Sequence, residues 1–234
     1  MNKLLETKVG AVVSRDYRTA RVFSAHNIDF CCKGGISVAE ACARNAADPA
    51  QVQAEIEALL VQQHLPDAEI AGYSMTQLIG HILEKHHAYV VHTGPILEQY
   101  LLKIANVHGQ RHAELWDLHS HFKTCFSHLQ QHMRKEEEML FPLIEQLEKV
   151  THTSPSLQQA QLNGPIGMME HEHEEEGNRF RLMRKITHDF TPPADGCQTY
   201  NVAFRMLQEF EEDLHRHTHL ENNVLFVRAQ AFFN

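Results

Sequence analysis

The stretch that decides the fold is His132-Met-Arg-Lys-Glu136-Glu-Glu-Met-Leu-Phe141, which returns late in the chain as His217-Thr-His-Leu-Glu221-Asn-Asn-Val-Leu-Phe226. In each copy an imidazole and a carboxylate are four residues apart, a spacing that puts them side by side on one face of a helix. The flanks say which face. His132 has Leu129 three before it and Met139 seven after; His217 has Phe210 seven before, Leu214 three before and Val224 seven after. Both pairs are therefore expected on the apolar stripe, pointing into a helical core. Two carboxylates buried there without partners would be very costly. A pair of metal ions offsets that cost, because carboxylate oxygens can bridge two cations and imidazole suits iron.

Two further long helices should then add ligands of their own. The helix before the first pair offers His81, His86 and His87, and periodicity alone does not choose between His86 and His87. The helix between the pairs offers His171 and His173; His173 has Ile166, Met169 and Phe180 at helical spacing and faces inward. The steps from His87 to His132 to His173 to His217 are 45, 41 and 44 residues, about one helix and loop each, as up-down-up-down packing requires. A rival set exists. Glu84-x-x-His87 and Glu170-x-x-His173 match the Glu-x-x-His pattern of ferritin-like di-iron bundles, but that set buries four carboxylates and leaves His132 and His217 idle. The histidine-rich set is preferred. The other histidines, among them His108, His112, His119, His121, His152, His188 and His215, are expected to be solvated, as is most of the run Glu170 to Glu176.

The rest of the chain fits this frame. Residues 1–63 read as short helices, with a capping box at Ser37-x-x-Glu40 and an N-cap plus first-turn proline at Asp48-Pro49. A linker is placed at 64–73. Residues 74–234 form the bundle, opened by a second capping box, Ser74-x-x-Gln77. The helices are placed at about 75–105, 110–150, 165–189 and 196–230. Gly94-Pro95 should kink or interrupt the first of them, and 151–163 should be a polar loop. No sustained period-two alternation calls for a strand, so the fold class is all-α: a four-helix bundle with a small N-terminal helical domain.

Composition narrows the function. The 234 residues include 30 Asp and Glu against 21 Lys and Arg, a formal net charge of −9, so the basic footprint of a nucleic-acid binder is missing. No apolar run approaches a membrane span, and the charged N-terminus lacks a signal peptide's apolar core. A soluble, cytoplasmic protein is expected. Its 19 histidines nearly equal Lys and Arg together, which points to a use for imidazole. Five cysteines, an odd number without regular spacing, argue against a disulfide framework. Cys42, Cys125 and Cys197 read as small buried hydrophobes. Cys31 and Cys32 differ: they sit in Asp29-Phe30-Cys31-Cys32-Lys33-Gly34-Gly35, a turn where a neighbouring lysine could depress a thiol pKa.

With these motifs in place the C-terminal part resembles hemerythrin-like domains. With the cysteine turn included, nearly the whole chain resembles the di-iron proteins that repair iron–sulfur clusters (repair of iron centres). The motifs that carry the likeness are the paired cysteines, His132-Met-x-Lys-Glu136-Glu-x-x-Leu-Phe-Pro142, Met169-Glu-x-Glu-His173-Glu and His217-x-x-Leu-Glu221-Asn-Asn-Val-Leu-Phe226.

The resemblance implies two non-haem iron ions, oxo- or hydroxo-bridged, ligated by His87, His132, His173 and His217 with Glu136 and Glu221 as bridging carboxylates. It implies a role in restoring clusters damaged by oxidative or nitrosative stress, with the cysteine pair associated with that role. The ligand count and the cysteine turn in turn lead to the expectation that iron is supplied from open coordination positions, with Cys31 and Cys32 as thiolate carriers or redox partners. Glu172 belongs to the family pattern and is expected to help iron or substrate pass. Where the family often has a further Glu, one turn before the helix-two histidine, this chain has His128. Partners implied are proteins with damaged iron–sulfur clusters and nitric oxide, and the family suggests a homodimer. Two alternatives stay open: a di-iron enzyme that reduces nitric oxide or peroxide, and an oxygen-binding or sensing hemerythrin-like module.

Overall fold

In the computed structural model, residues 3–61, 70, 72–149 and 155–231 are described, the side chains of 155–160 excepted. Nine helices account for most of them: α1 (Lys3–Glu6), α2 (Val9–Arg15), α3 (Ala20–Ala25), α4 (Val38–Arg44), α5 (Pro49–Leu60), and four long ones. The long helices are α6 (Met75–Ile82 and Ala88–His108), α7 (Glu114–Lys135 and Phe141–Lys149), α8 (Pro155–Ile186) and α9 (Gln198–Leu220 and Phe226–Ala231), the gaps in α6, α7 and α9 being filled by π-helical turns. Among the described residues there is no strand, only an isolated bridge between Lys8 and Ser37. The all-α expectation holds, and no described helix is long and apolar enough to cross a membrane.

By compactness the chain divides into residues 1–78 with 218–234, and residues 79–217. The second unit is the bundle. Its core draws on all four long helices: Leu97, Leu101 and Ile104 from α6, Leu118, Phe122 and Leu129 from α7, Phe180 and Met183 from α8, and Phe204, Leu207 and Phe210 from α9. Burying each such side chain contributes about 1.5–3 kcal/mol. Helix α6 runs on through Gly94-Pro95, so the expected interruption does not occur. Gly94 has a packing role there: a Cβ at that position would lie 2.2 Å from the Phe126 ring, so only glycine lets α6 and α7 approach this closely. Helix α8 starts at Pro155, ten residues before the expected start at Pro165. A proline fits the first turn of a helix as well at 155 as at 165, so the local signal was ambiguous. The linker at 64–73 and the residues 151–154 lie largely or wholly outside the described residues.

In the first unit Val9, Val13, Phe23, Val38, Val52 and Ile56 form a separate small core. The caps are as read: Ser37 accepts a hydrogen bond from the Glu40 amide (3.2 Å) and Asp48 from the Ala50 amide (2.9 Å). At Ser74 the box is reciprocal, with Gln77 N–H donating to Ser74 Oγ (3.1 Å) and Ser74 N–H to Gln77 Oε1 (2.9 Å). Cys197 and His108 depart from the burial expected of them. Cys197 is exposed, lying before the first turn of α9. His108 is buried against Tyr200, their rings 5.4 Å apart.

Candidate metal centre

Three of the four long helices contain one π-helical turn each: Leu83–His87 in α6, Glu136–Leu140 in α7 and Glu221–Leu225 in α9. His87 closes the first; Glu136 and Glu221 open the other two. Such a turn holds one extra residue and shifts the register of everything after it, and it occurs mostly at functional sites. This explains two departures from 3.6-residue spacing. Neighbours His86 and His87 are both buried. Met139, expected inward, is 54% exposed while Leu140 takes its place in the core. No such turn interrupts α8 among the described residues, and His173 stands on regular helix.

The turns gather the ligating side chains. His87, Glu136 and His217 offer donor atoms within 4.8 Å of one another, and so do His132, Glu136 and His173. Glu136 is common to both sets and is fully buried. Its two oxygens face different histidines: Oε2 is 3.4 Å from His87 Nε2, and Oε1 is 3.3 Å from His132 Nε2. His173 Nε2 approaches His132 Nε2 at 2.9 Å. Glu221, also fully buried, stands one turn beyond His217 on α9. Converging imidazole nitrogens around a buried carboxylate are a donor set suited to iron or zinc. The residues present therefore fit a metal pair.

Carboxylates behind the histidines fix which nitrogen turns inward. His132 Nδ1 donates to Glu172 Oε2 (2.8 Å), and His87 Nδ1 to Glu137 Oε1 (2.7 Å). A carboxylate can only accept, so each Nδ1 carries the proton and each Nε2 lone pair is left for a cation. The hydrogen bond from His132, opposed by burial and aided by one from Lys135, holds the Glu172 carboxyl down at about 2. Sequence reasoning placed Glu172 near the site but missed Glu137. Its only signal was adjacency to Glu136, and under α-helical spacing two adjacent residues do not serve one centre.

His86 is not part of either set. Its Nδ1 meets Asp213 Oδ1 at 2.8 Å and its ring stacks on that of His217, centroids 5.6 Å apart. The rival set finds no place, because Glu84 and Glu170 are exposed. Glu176, expected in solvent, is buried between His128 Nδ1 (2.9 Å) and Arg179 Nε (2.8 Å). A cavity of about 200 Å³ is lined by His128, His132, Lys135, Glu172, His173 and Glu176, so it borders both histidines of the second set.

Residues 78–229 match the hemerythrin HHE cation binding domain, and residues 5–60 match a domain of unknown function, DUF542. The iron-sulfur cluster repair protein YtfE of Yersinia pestis (strain Pestoides F) is 31% identical over 221 residues, which is 94% of this chain and 95% of that protein. The protein of the same name from Shigella boydii serotype 4 (strain Sb227) is 32% identical over 214 residues, 92% of each. The chain belongs to the iron–sulfur cluster repair family of hemerythrin-domain proteins. Membership accounts for the order of its parts, with the cysteine turn inside the DUF542 match and all six His and Glu candidates inside the hemerythrin match.

The cysteines of this family member are not arranged as the turn suggested. Cys31 is buried and Cys32 half-buried; their Sγ atoms, 3.6 Å apart, share a thiol hydrogen bond rather than a disulfide. The Cys32 thiol beside it, together with burial, pushes the Cys31 thiol well above the usual cysteine range. The expected depression by Lys33 does not occur at Cys31, because that thiol lies inside the small core while Lys33 is exposed.

Proposed function

We propose that this protein holds two non-haem irons in the bundle and supplies iron to proteins whose iron–sulfur clusters have been damaged by oxidative or nitrosative stress, in the cytoplasm. The proposed ligands are His87 and His217 for one ion and His132 and His173 for the other, with Glu136 and Glu221 bridging. One observation carries the reading: the buried carboxylate of Glu136 turns one oxygen to a histidine of each set, the posture of a group shared by two cations. The repair role is supported by likeness to the curated repair proteins along nearly the whole chain.

When bound, the irons supply open coordination positions; the protein's own groups do the rest. Glu172 and Glu137 hold the tautomers of His132 and His87. Lys135 pairs with Glu172, and with it lines the cavity through which an ion or a diatomic such as nitric oxide reaches His132 and His173. Glu172 is thus proposed to steer passage as well as to orient its histidine.

The test is iron content and repair measured together. Ferrous-loaded protein should carry two irons per chain and reactivate a nitric-oxide-damaged [4Fe–4S] dehydratase. His132→Ala should lose one or both irons and the repair with them. Full retention of both irons by His132→Ala would overturn the ligand set. Sustained consumption of nitric oxide or peroxide with an electron donor, without reactivation of the dehydratase, would replace repair by an enzymatic role.

A further inference from the structure

Asp29, Cys31 and Cys32 offer donor atoms that all lie within 4.8 Å of one another. They are arranged as a chelate. A zinc–thiolate bond is about 2.3 Å, so two thiolates on one tetrahedral ion stand about 3.8 Å apart. The two Sγ atoms stand 3.6 Å apart, and Asp29 Oδ1 is 3.3 Å from Cys31 Sγ. Oδ1 also accepts the Cys32 N–H at 2.9 Å, which fixes the carboxylate over the pair.

The loop is held from behind. Asn223 Nδ2 donates to Cys31 O (2.9 Å), and Asn222 Nδ2 reaches the same carbonyl at 3.3 Å. A Cβ on Gly10 would lie 2.1 Å from Asn223 Oδ1, so glycine is needed for the clamp to close. Two side-chain donors on one carbonyl leave the backbone of the cysteine turn little freedom, and a preorganised turn binds an ion at lower entropic cost.

We propose that Asp29, Cys31 and Cys32 form a second metal site, separate from the bundle centre, for one thiophilic divalent ion of the ferrous or zinc class. Two thiolates and one carboxylate fill three tetrahedral positions, and the fourth is left for water or for a ligand from another protein. Binding releases two thiol protons to solvent and needs no redox partner. The proposal goes beyond the di-iron reading and does not require it.

Cobalt(II) tests it. The full-length, reduced chain titrated anaerobically should develop a thiolate-to-cobalt charge-transfer band that saturates at one ion per chain. Nitrogen and oxygen donors give no such band, so His132→Ala should leave it unchanged, and so should Cys197→Ser, whose thiol is not among the three proposed ligands. It should vanish in Cys31→Ser/Cys32→Ser. Asp29→Asn replaces a charged ligand by a weak neutral donor, so it should weaken binding by more than the roughly tenfold that losing even an outer partner of a ligand costs. Cys32→Ser alone, at the half-buried position, keeps the small core intact and should weaken the band, because only the Cys31 thiolate remains. No band in the wild-type chain, or a band that survives the double substitution, would overturn the site; undiminished affinity in Asp29→Asn would overturn the three-donor assignment.

Discussion

Nδ1 of His132 lies 2.8 Å from Oε2 of Glu172, and that pairing decides which face of the imidazole is offered to the centre of the bundle. Replacing Glu172 by Gln keeps the shape but allows the amide to present either a donor or an acceptor to Nδ1. The His132 tautomer is then no longer fixed, and metal affinity should fall about 10–100-fold. Competitive titration against a chromophoric chelator measures it. Unchanged affinity in Glu172→Gln would leave Glu172 with no orienting role.

Glu136 gives a second prediction, through linkage. A ligand bound only by the folded state stabilises it by about 2.7 kcal/mol at a hundred times its dissociation constant. Ferrous ion should therefore raise the melting temperature of the wild-type chain in a concentration-dependent way. Glu136→Ala should abolish most of that rise and should itself melt below the metal-free wild type, because it strips His87 and His132 of their shared carboxylate and leaves a cavity at a fully buried position. Thermal melts with and without iron decide both halves.

At Gly94 the sign depends on two opposed terms. Alanine improves helix propensity by about 1 kcal/mol. Its methyl, however, would meet the Phe126 ring at 2.2 Å, and overpacking of this kind costs about 1–3 kcal/mol. The net expectation for Gly94→Ala is a lower unfolding free energy in urea; a stabilised variant would mean that Phe126 moves aside freely.

His112 and Asp195 tie the start of α7 to the turn before α9, Nε2 to Oδ1 at 3.0 Å. Their hydrogen bond raises the His112 pKa above its ordinary 6.5 and lowers that of Asp195 below its ordinary 3.8. The His112 contribution is full below 6.5 and is lost as pH rises through its raised folded value. The Asp195 contribution is present above 3.8 and is lost as pH falls through its lowered folded value. The stability difference between wild type and Asp195→Asn should therefore be larger at about pH 5.5 than at about pH 8.5. A difference that grows with pH would refute the assignment.

How far the site was legible can be followed residue by residue. Spacing alone placed His132, Glu136, His173, His217 and Glu221 on buried faces, because residues four apart share a face wherever the helix goes. It could not choose between His86 and His87. Both are buried because a π turn ends there, and no simple pattern in Leu83–His87 announces that turn. It also left Glu176 and His108 in solvent, since a charged or polar residue in a charged run gives no sign of a partner on another helix.

The sequence by itself determined the helical class, the caps, the two His–Glu pairs and the family, all features carried by residues a few positions apart or by motifs in order. Tertiary structure decided which His87 and His132 atoms Glu136 faces, which carboxylates stand behind them, and that Cys31 is a buried thiol rather than an activated one. Apart from the His132–Glu136 pair on one helix, those relationships join groups 40 to 50 residues apart or depend on what surrounds a side chain. They are set by packing and by the one-residue shifts of the π turns, which local spacing does not encode.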